Sequence, residues 1–298
     1  MNNQRMRIEE RTKAGICTPH LPSVGGRRKG LLLLALVLAL LLDSCTSLRY
    51  AGVDRIRRYD VVSADVGDAL DGYRIAFASD FHLVSRFGMR QLQGTVKALR
   101  AVHPDVLLLG GDYQEGCAYV EPLFDALAGA VPPDGVWAVL GNNDCERCTA
   151  EIAASLQQHG FRLLDYEAAA VREGLVVVGV PFCTHPPLVQ ALVEAQDTAQ
   201  FVVLLTHSPD IVEMAAMSPA HIDLALAGHT HGGQITLLGL VAPVTGSRYG
   251  QRFLRGISRT RRGVPVITSC GLGTSRIPLR MGAPTDIILV TLHSKRYV

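Results

Sequence analysis

An α/β domain is predicted from about Tyr73 onward, on three observations. Short apolar runs alternate with stretches of helical period, most of those runs are apolar throughout, and polar residues gather where the runs stop. Alternation of this kind builds a largely parallel sheet, because a parallel neighbour needs a crossover long enough to hold a helix. A strand without polar alternation is covered on both faces.

In chain order, "YRIAFAS", "DVLLLGG", "GVWAVLG", "LVVVGV", "FVVLLTH", "DLALAGH", "PVITS" and "DIILVTL" read as strands. Between several of them, "MRQLQGTVKALRAV", "VEPLFDALAGAV" and "TAEIAASLQQHG" read as helices, the last closing on a glycine suited to a helix C-terminus. No internal repeat or low-complexity linker follows residue 50, so residues 73–298 are taken as one domain and 46–72 as a connecting segment.

Residues 1–45 read as a signal peptide or membrane anchor. In "GGRRKGLLLLALVLALLLDSC", Arg27, Arg28 and Lys29 precede an apolar run from Leu31 to Leu42. As a helix that run reaches about 18 Å, short of the roughly 30 Å hydrocarbon core, so an export signal fits better than a full span. Leu42-Asp43-Ser44-Cys45 resembles a bacterial lipobox, with Cys45 the lipid-modified residue and Asp43 unusual in it. An uncleaved signal anchor and plain soluble export are the alternatives, and Arg27-Arg28 also gives a weak twin-arginine signal. The expectation is an exported, membrane-associated protein attached through its N-terminus.

With 19% charged residues and a formal net charge of +2, the chain has no broad basic character, and no nucleic-acid partner is expected. Seven cysteines in 298 residues do not make a disulfide scaffold. Cys145 and Cys148 form a C-x-x-C, but a zinc ribbon needs a second pair and a thioredoxin-like site needs a strand-to-helix junction. They are read as incidental or disulfide-forming thiols, with a thiol-based function as a minor option.

The polar groups at the strand ends carry the chemistry. Asp80 and His82 end one strand, Asp112 follows Gly110 and Gly111, Asn142, Asn143 and Asp144 follow Gly141, His207 ends the fifth run, and His229 and His231 lie in "AGHTHGG". Singly each has an ordinary explanation as turn or surface chemistry. In series they place imidazoles and carboxylates beyond the carboxyl ends of strands, where ligands of open α/β sheets gather.

The order D-x-H, G-G-D, G-N-x-D, a single His and G-H-x-H resembles the calcineurin-like metallophosphoesterases, over nearly all of Tyr73 to Leu292. The leader and tail are similar to an exported, membrane-associated branch that includes UDP-2,3-diacylglucosamine pyrophosphatase-like proteins. The resemblance implies a four-layer sandwich, two facing mixed β-sheets flanked by helices, and two divalent metal ions. Carried over by position, Asp80, His82 and His231 hold one metal, Asn142, His207 and His229 the other, and Asp112 bridges both. Mixed nitrogen and oxygen donors suit Mn, Fe or Zn better than Mg. Two such cations hold a hydroxide between them and clamp a phosphoryl group, so no protein nucleophile is required.

Asn143 departs from the family, where His is usual. Asn donates a hydrogen bond but is no acid, which tilts the expectation toward phosphodiesters or pyrophosphates with good leaving groups, on a nucleotide or lipid-linked phosphate. A broad-specificity phosphatase and a non-catalytic metal-binding lipoprotein scaffold are the rivals. His185 is a remote stand-in for the missing His. His103, His159, His221 and His293 are read as structural or solvated. The apolar stretch Leu237 to Val244 with Arg248, Tyr249, Arg252 and Arg255 reads either as a lipid-admitting loop or as a buried hairpin with a basic edge. Arg276 and Arg280 are open candidates for the phosphate side.

Overall fold

The computed structural model of the chain describes residues 6–11, 53–84, 86–182 and 184–295. Among them, thirteen strands form two mixed sheets. The first comprises β1 (Met6–Glu10), β2 (Arg55–Ser63), β3 (Arg74–Ala78), β4 (Val106–Leu109), β5 (Val136–Ala138), β6 (Arg162–Leu163) and β13 (Asp286–Ser294), in the spatial order β1-β2-β13-β3-β4-β5-β6. Here β3 to β6 run parallel, while β13 pairs antiparallel with β3 and parallel with β2. The second comprises β7 (Glu167–Arg172), β8 (Leu175–Val180), β9 (Phe201–Thr206), β10 (Leu224–Ala227), β11 (Gly256–Arg259) and β12 (Pro265–Thr268), in the order β11-β12-β10-β9-β8-β7. Its four central strands are parallel and both edges antiparallel.

The strands read from the sequence as apolar throughout are those that need cover on both faces. Ile75, Phe77, Val106 and Leu108 of the first sheet meet Val177, Val203, Leu205 and Leu226 of the second in a core between the sheets. Their neighbours on the opposite faces meet helices. Ala76, Leu107, Leu109 and Ala138 pack with α1 (Arg86–Val102), α2 (Val120–Leu127) and α4 (Thr149–Gln158), and Val176, Val178, Val202 and Leu204 with α5 (Pro186–Glu194) and α6 (Pro209–Met214). A short α3 (Asn142–Glu146) follows β5. Each large apolar side chain buried this way contributes about 1.5–3 kcal/mol. The result is the four-layer sandwich expected.

The folded unit begins before residue 73. In the segment read as a connector, β2 lies in the first sheet, with Tyr59, Val61 and Ser63 buried and Arg57 Nε donating to the buried Asp286 carboxylate at 2.8 Å. Its run "RIRRYDVVS" hides a strand behind arginines whose stems pack while one head is paired. β1, inside the segment read as leader, pairs antiparallel with β2. The apolar run Leu31 to Leu42, Arg27-Arg28 and Cys45 lie outside the described residues, and no described helix is long and apolar enough to cross a membrane.

Candidate metal centre

Each candidate residue sits just beyond the carboxyl end of a central strand. Asp80 and His82 follow β3, Asp112 follows β4, Asn142 and Asn143 open α3 after β5, His207 follows β9, and His229 and His231 follow β10. Both sheets therefore contribute, and their loops meet at one end of the interlayer core.

The backbone is bent to make them meet. Asp80, His82, Asp112, His229 and His231 all have φ between 43° and 70°, the left-handed region, which costs an L-residue roughly 1–2 kcal/mol each. Two glycines are required by contact rather than by φ. A Cβ on Gly141 would lie 2.1 Å from Asp112 Oδ1, and one on Gly228 would lie 2.3 Å from Asp80 Oδ2.

Two clusters result. In the first, His82 Nε2 and His231 Nε2 face each other at 3.1 Å, with Asp80 Oδ1 3.4 Å from His231 Nε2. In the second, His207 Nε2 lies 3.1 Å from His229 Nδ1 and 3.2 Å from Asn142 Oδ1. Asp112 Oδ2 stands between them, 3.4 Å from both His82 Nε2 and His207 Nε2. All seven residues read from the sequence are thus brought together.

The outer contacts of the rings fix which nitrogen faces inward. His207 Nδ1 donates to Gly110 O at 2.7 Å, and His82 Nδ1 donates to the Glu115 carboxylate, so Nε2 is the nitrogen each ring turns to the pocket. Nitrogen lone pairs 3 Å apart repel unless a proton or a cation lies between them. The donor set is imidazole, carboxylate and amide oxygen, which suits a divalent transition metal.

The electrostatics agree. Burial opposes ionisation of Asp112, yet His207 and His82 hold its carboxyl far below the usual range; Asp80 is also lowered against burial, by His231, His207 and His82. His207 is pushed up to about 10, burial being overcome by Asp112 and then Asp80. His229 is pushed down to about 4 by burial and the charge on His207. His231 falls to about 3 through burial, with Asp80 opposing and Arg280 reinforcing. The pocket holds ionised carboxylates and draws positive charge to itself while two imidazoles stay neutral.

One neighbour, Glu115, was not singled out from the sequence. Glu115, three residues after Asp112, accepts from His82 and from Asn143 Nδ2 at 2.9 Å. Its nearness in sequence to Asp112 was the available signal. Asp144 is a brace, accepting from Asp112 N at 2.6 Å, Gly141 N at 2.8 Å and Tyr113 N at 3.0 Å. Arg280 is buried behind His231, donating to the carbonyls of Cys270, Gly273 and Ala283, so it supports a ring rather than facing a phosphate. Arg276 and His185 are exposed. The C-x-x-C is not a dithiol: Cys148 is joined to Cys117, and Cys145 takes no part in that bond. That disulfide ties the segment after Glu115 to the start of α4, close to both first-sheet loops of the site.

The calcineurin-like phosphoesterase family model matches residues 73–233, a span that holds all seven ligand candidates together with Asn143 and Glu115. The chain belongs to the calcineurin-like phosphoesterases. Relatives of this phosphoesterase include an uncharacterized metallophosphoesterase of Aquifex aeolicus (strain VF5), 30% identical over 249 residues, covering 81% of this chain and 92% of that protein. A transmembrane protein with metallophosphoesterase domain of Danio rerio is 25% identical over 241 residues, covering 76% of this chain and 54% of its own. Among solved structures, a dimetal phosphatase from Danio rerio aligns over 68% of this phosphoesterase and 88% of its own chain, at 11% identity and a TM-score of 0.41. Family and clustered donors together indicate a divalent-metal site in a metal-dependent phosphoesterase.

Proposed function

We propose that this phosphoesterase hydrolyses phosphodiesters or pyrophosphates, on a nucleotide or lipid-linked phosphate, with two divalent cations of the Mn, Fe or Zn type. The arrangement that carries the reading is the pair of clusters sharing Asp112, whose Oδ2 is equidistant from a histidine of each. Asp80, His82 and His231 would hold one cation, Asn142, His207 and His229 the other, with Asp112 between. A metal pair supplies Lewis acidity and activates water for in-line attack.

The chain's own residues set the substrate preference. Asn143 is held at both ends, its Nδ2 donating to Glu115 at 2.9 Å and its Oδ1 accepting from Asn142 Nδ2 at 2.9 Å. An amide so fixed orients and donates but delivers no proton to a departing oxygen. Leaving groups that depart as weakly basic phosphates or aryloxides then react well, and alkoxides poorly. Glu115, Glu146, Arg147, Gln114 and Asn143 line the adjoining cleft, so polar recognition of a substrate takes place on the α3 side.

We also place the protein outside the cytoplasm, attached to the membrane through residues 1–45. The basic head and apolar run support export, and the Cys117–Cys148 disulfide fits an oxidising compartment. A relative named as a transmembrane protein is in keeping with membrane attachment.

Rates on aryl and alkyl phosphodiesters and monoesters of graded leaving-group pKa, with Mn added, test the preference. Steep dependence on leaving group, with diesters favoured, is expected. Equal rates on good and poor leaving groups would remove the argument from Asn143. Asp112→Asn is expected to lose more than the roughly 10–100-fold that removal of an outer partner costs. Wild-type turnover in that variant would sink the shared-carboxylate reading.

A further inference from the structure

Two loops beside the metal centre expose apolar side chains that the hydrolytic reading does not use. Leu237, Leu240 and Val244 are 67%, 75% and 74% exposed, with Leu238 and Val241 between them; Ile277 and Leu279 stand exposed on the second loop. These seven are most of the twelve large apolar residues exposed among the described residues. The loops are not slack. Thr236 N donates to Met281 O and Met281 N to Gln234 O, both at 2.8 Å, and the Gln234 side chain donates to Ile277 O at 2.8 Å. Locked together in this way, the side chains cannot fold under and remain presented to solvent, where an apolar patch marks a contact surface.

Charge and chain path identify the occupant. Between Asp223 and Asp286 the sequence carries no acidic residue and eight arginines, of which Arg280 is buried and Arg252 and Arg261 pair with Glu213. Arg248 and Arg276, next to the apolar tips, are exposed. Apolar tips flanked by two exposed arginines match an anionic lipid surface, where each such cation adds roughly 1 kcal/mol at the headgroups. The connecting segment enters the fold at the same place. Asp54 and Thr285 exchange hydrogen bonds at 3.0 Å, and Thr285 lies three residues beyond Gly282, whose added Cβ would be 2.9 Å from Gly239 N of the apolar loop. The apolar run of the leader ends at Leu42, eleven residues before Val53, a separation of at most about 40 Å for extended chain.

We propose that residues 234–249 and 275–282 form a membrane-docking surface that seats the phosphoesterase on an anionic bilayer. The base of the first loop touches the metal centre, a Cβ on Gly246 falling 3.2 Å from His229 O, so docking sets the centre close to the headgroups. The readout below needs no turnover, so its failure is separate from failure of the hydrolytic reading.

The sequence has one tryptophan, the largely buried Trp137, so an introduced indole reports its own site. Full-length protein carrying Leu240→Trp is mixed with phosphatidylethanolamine–phosphatidylglycerol vesicles whose acyl chains are brominated. A blue shift with quenching is expected, and none for Leu188→Trp on α5. In a Leu240→Trp background, Arg248→Glu with Arg276→Glu is expected to raise the lipid needed for half-quenching roughly tenfold or more. Unquenched emission from Leu240→Trp on protein that co-floats with vesicles would overturn the proposal. So would a blue shift without lipid that grows with protein concentration, which would assign the patch to a second copy of the chain. An unchanged lipid requirement after the arginine reversals would overturn the electrostatic half.

Discussion

Glu115 is the residue whose role is clearest from contact alone. It accepts hydrogen bonds from His82 Nδ1 and Asn143 Nδ2, so one carboxylate sets both which nitrogen of a ligand faces inward and the pose of the amide beside it. Glu115→Ala is expected to weaken cation binding by roughly 10–100-fold in calorimetric titration, while Glu115→Gln, which keeps an acceptor, recovers part of it. Identical affinity in the alanine variant would mean that the ring is held by packing alone. The seven ligand candidates were legible because each is a polar residue set against an apolar run. Glu115 was not, since nothing in "GGDYQEG" says which way a carboxylate three residues on will turn. The left-handed backbone at Asp80, His82, Asp112, His229 and His231 was equally hidden, for only the adjoining glycines advertise tight turns.

Elements were readable where burial is continuous and obscure where it is partial. β8, β9 and β10 announce themselves as unbroken apolar runs, whereas β7, "EAAAVR", is a half-exposed edge of small residues, and β2 mixes arginines with buried positions. Pairing of cysteines is still less local. The C-x-x-C suggested a near neighbour, but Cys148 bonds to Cys117, 31 residues away. Closing a loop of that size stabilises by about 2–4 kcal/mol. Reduction, or Cys117→Ser, should therefore lower Tm by roughly 5–15 °C in a domain of this size. It should also loosen cation binding, because the bond fixes the spacing of the Asp112 loop and α3. An unaltered melting curve in reductant would show that packing of α2 on α4 suffices.

At the scale of the whole molecule, one carboxyl links pH to the joining of the two sheets. Asp223, leading into β10, accepts from Val202 N at 2.8 Å and lies with Asp65 and Ser63 from the end of β2. Burial first, then Asp65, pushes its pKa up to about 7. The folded state thus holds this proton more tightly than the unfolded chain. Its contribution is complete below about pH 4 and disappears as pH rises through about 7. Wild-type stability should fall across that window by up to a few kcal/mol, at about 1.4 kcal/mol per unit. Asp223→Asn, which still accepts from Val202, should flatten the slope in denaturant titrations at about pH 5 and about pH 8. An equal slope in both proteins would assign it elsewhere.

The four-layer architecture was legible as alternation and as a family resemblance, while the facing of the sheets depends on contacts no single run contains. That facing has its own effect. With Asp80, His82 and Asp112 delivered by one sheet and His207, His229 and His231 by the other, the pocket is a seam between two slabs. A slip of one slab over the other, too small to break a strand, alters the spacing of donors that must converge within a few tenths of an ångström. Side chains such as Phe77 and Leu205, deep in the interlayer core and making no direct contact with the ion themselves, thereby act as shims that set how well the pocket would grip an ion.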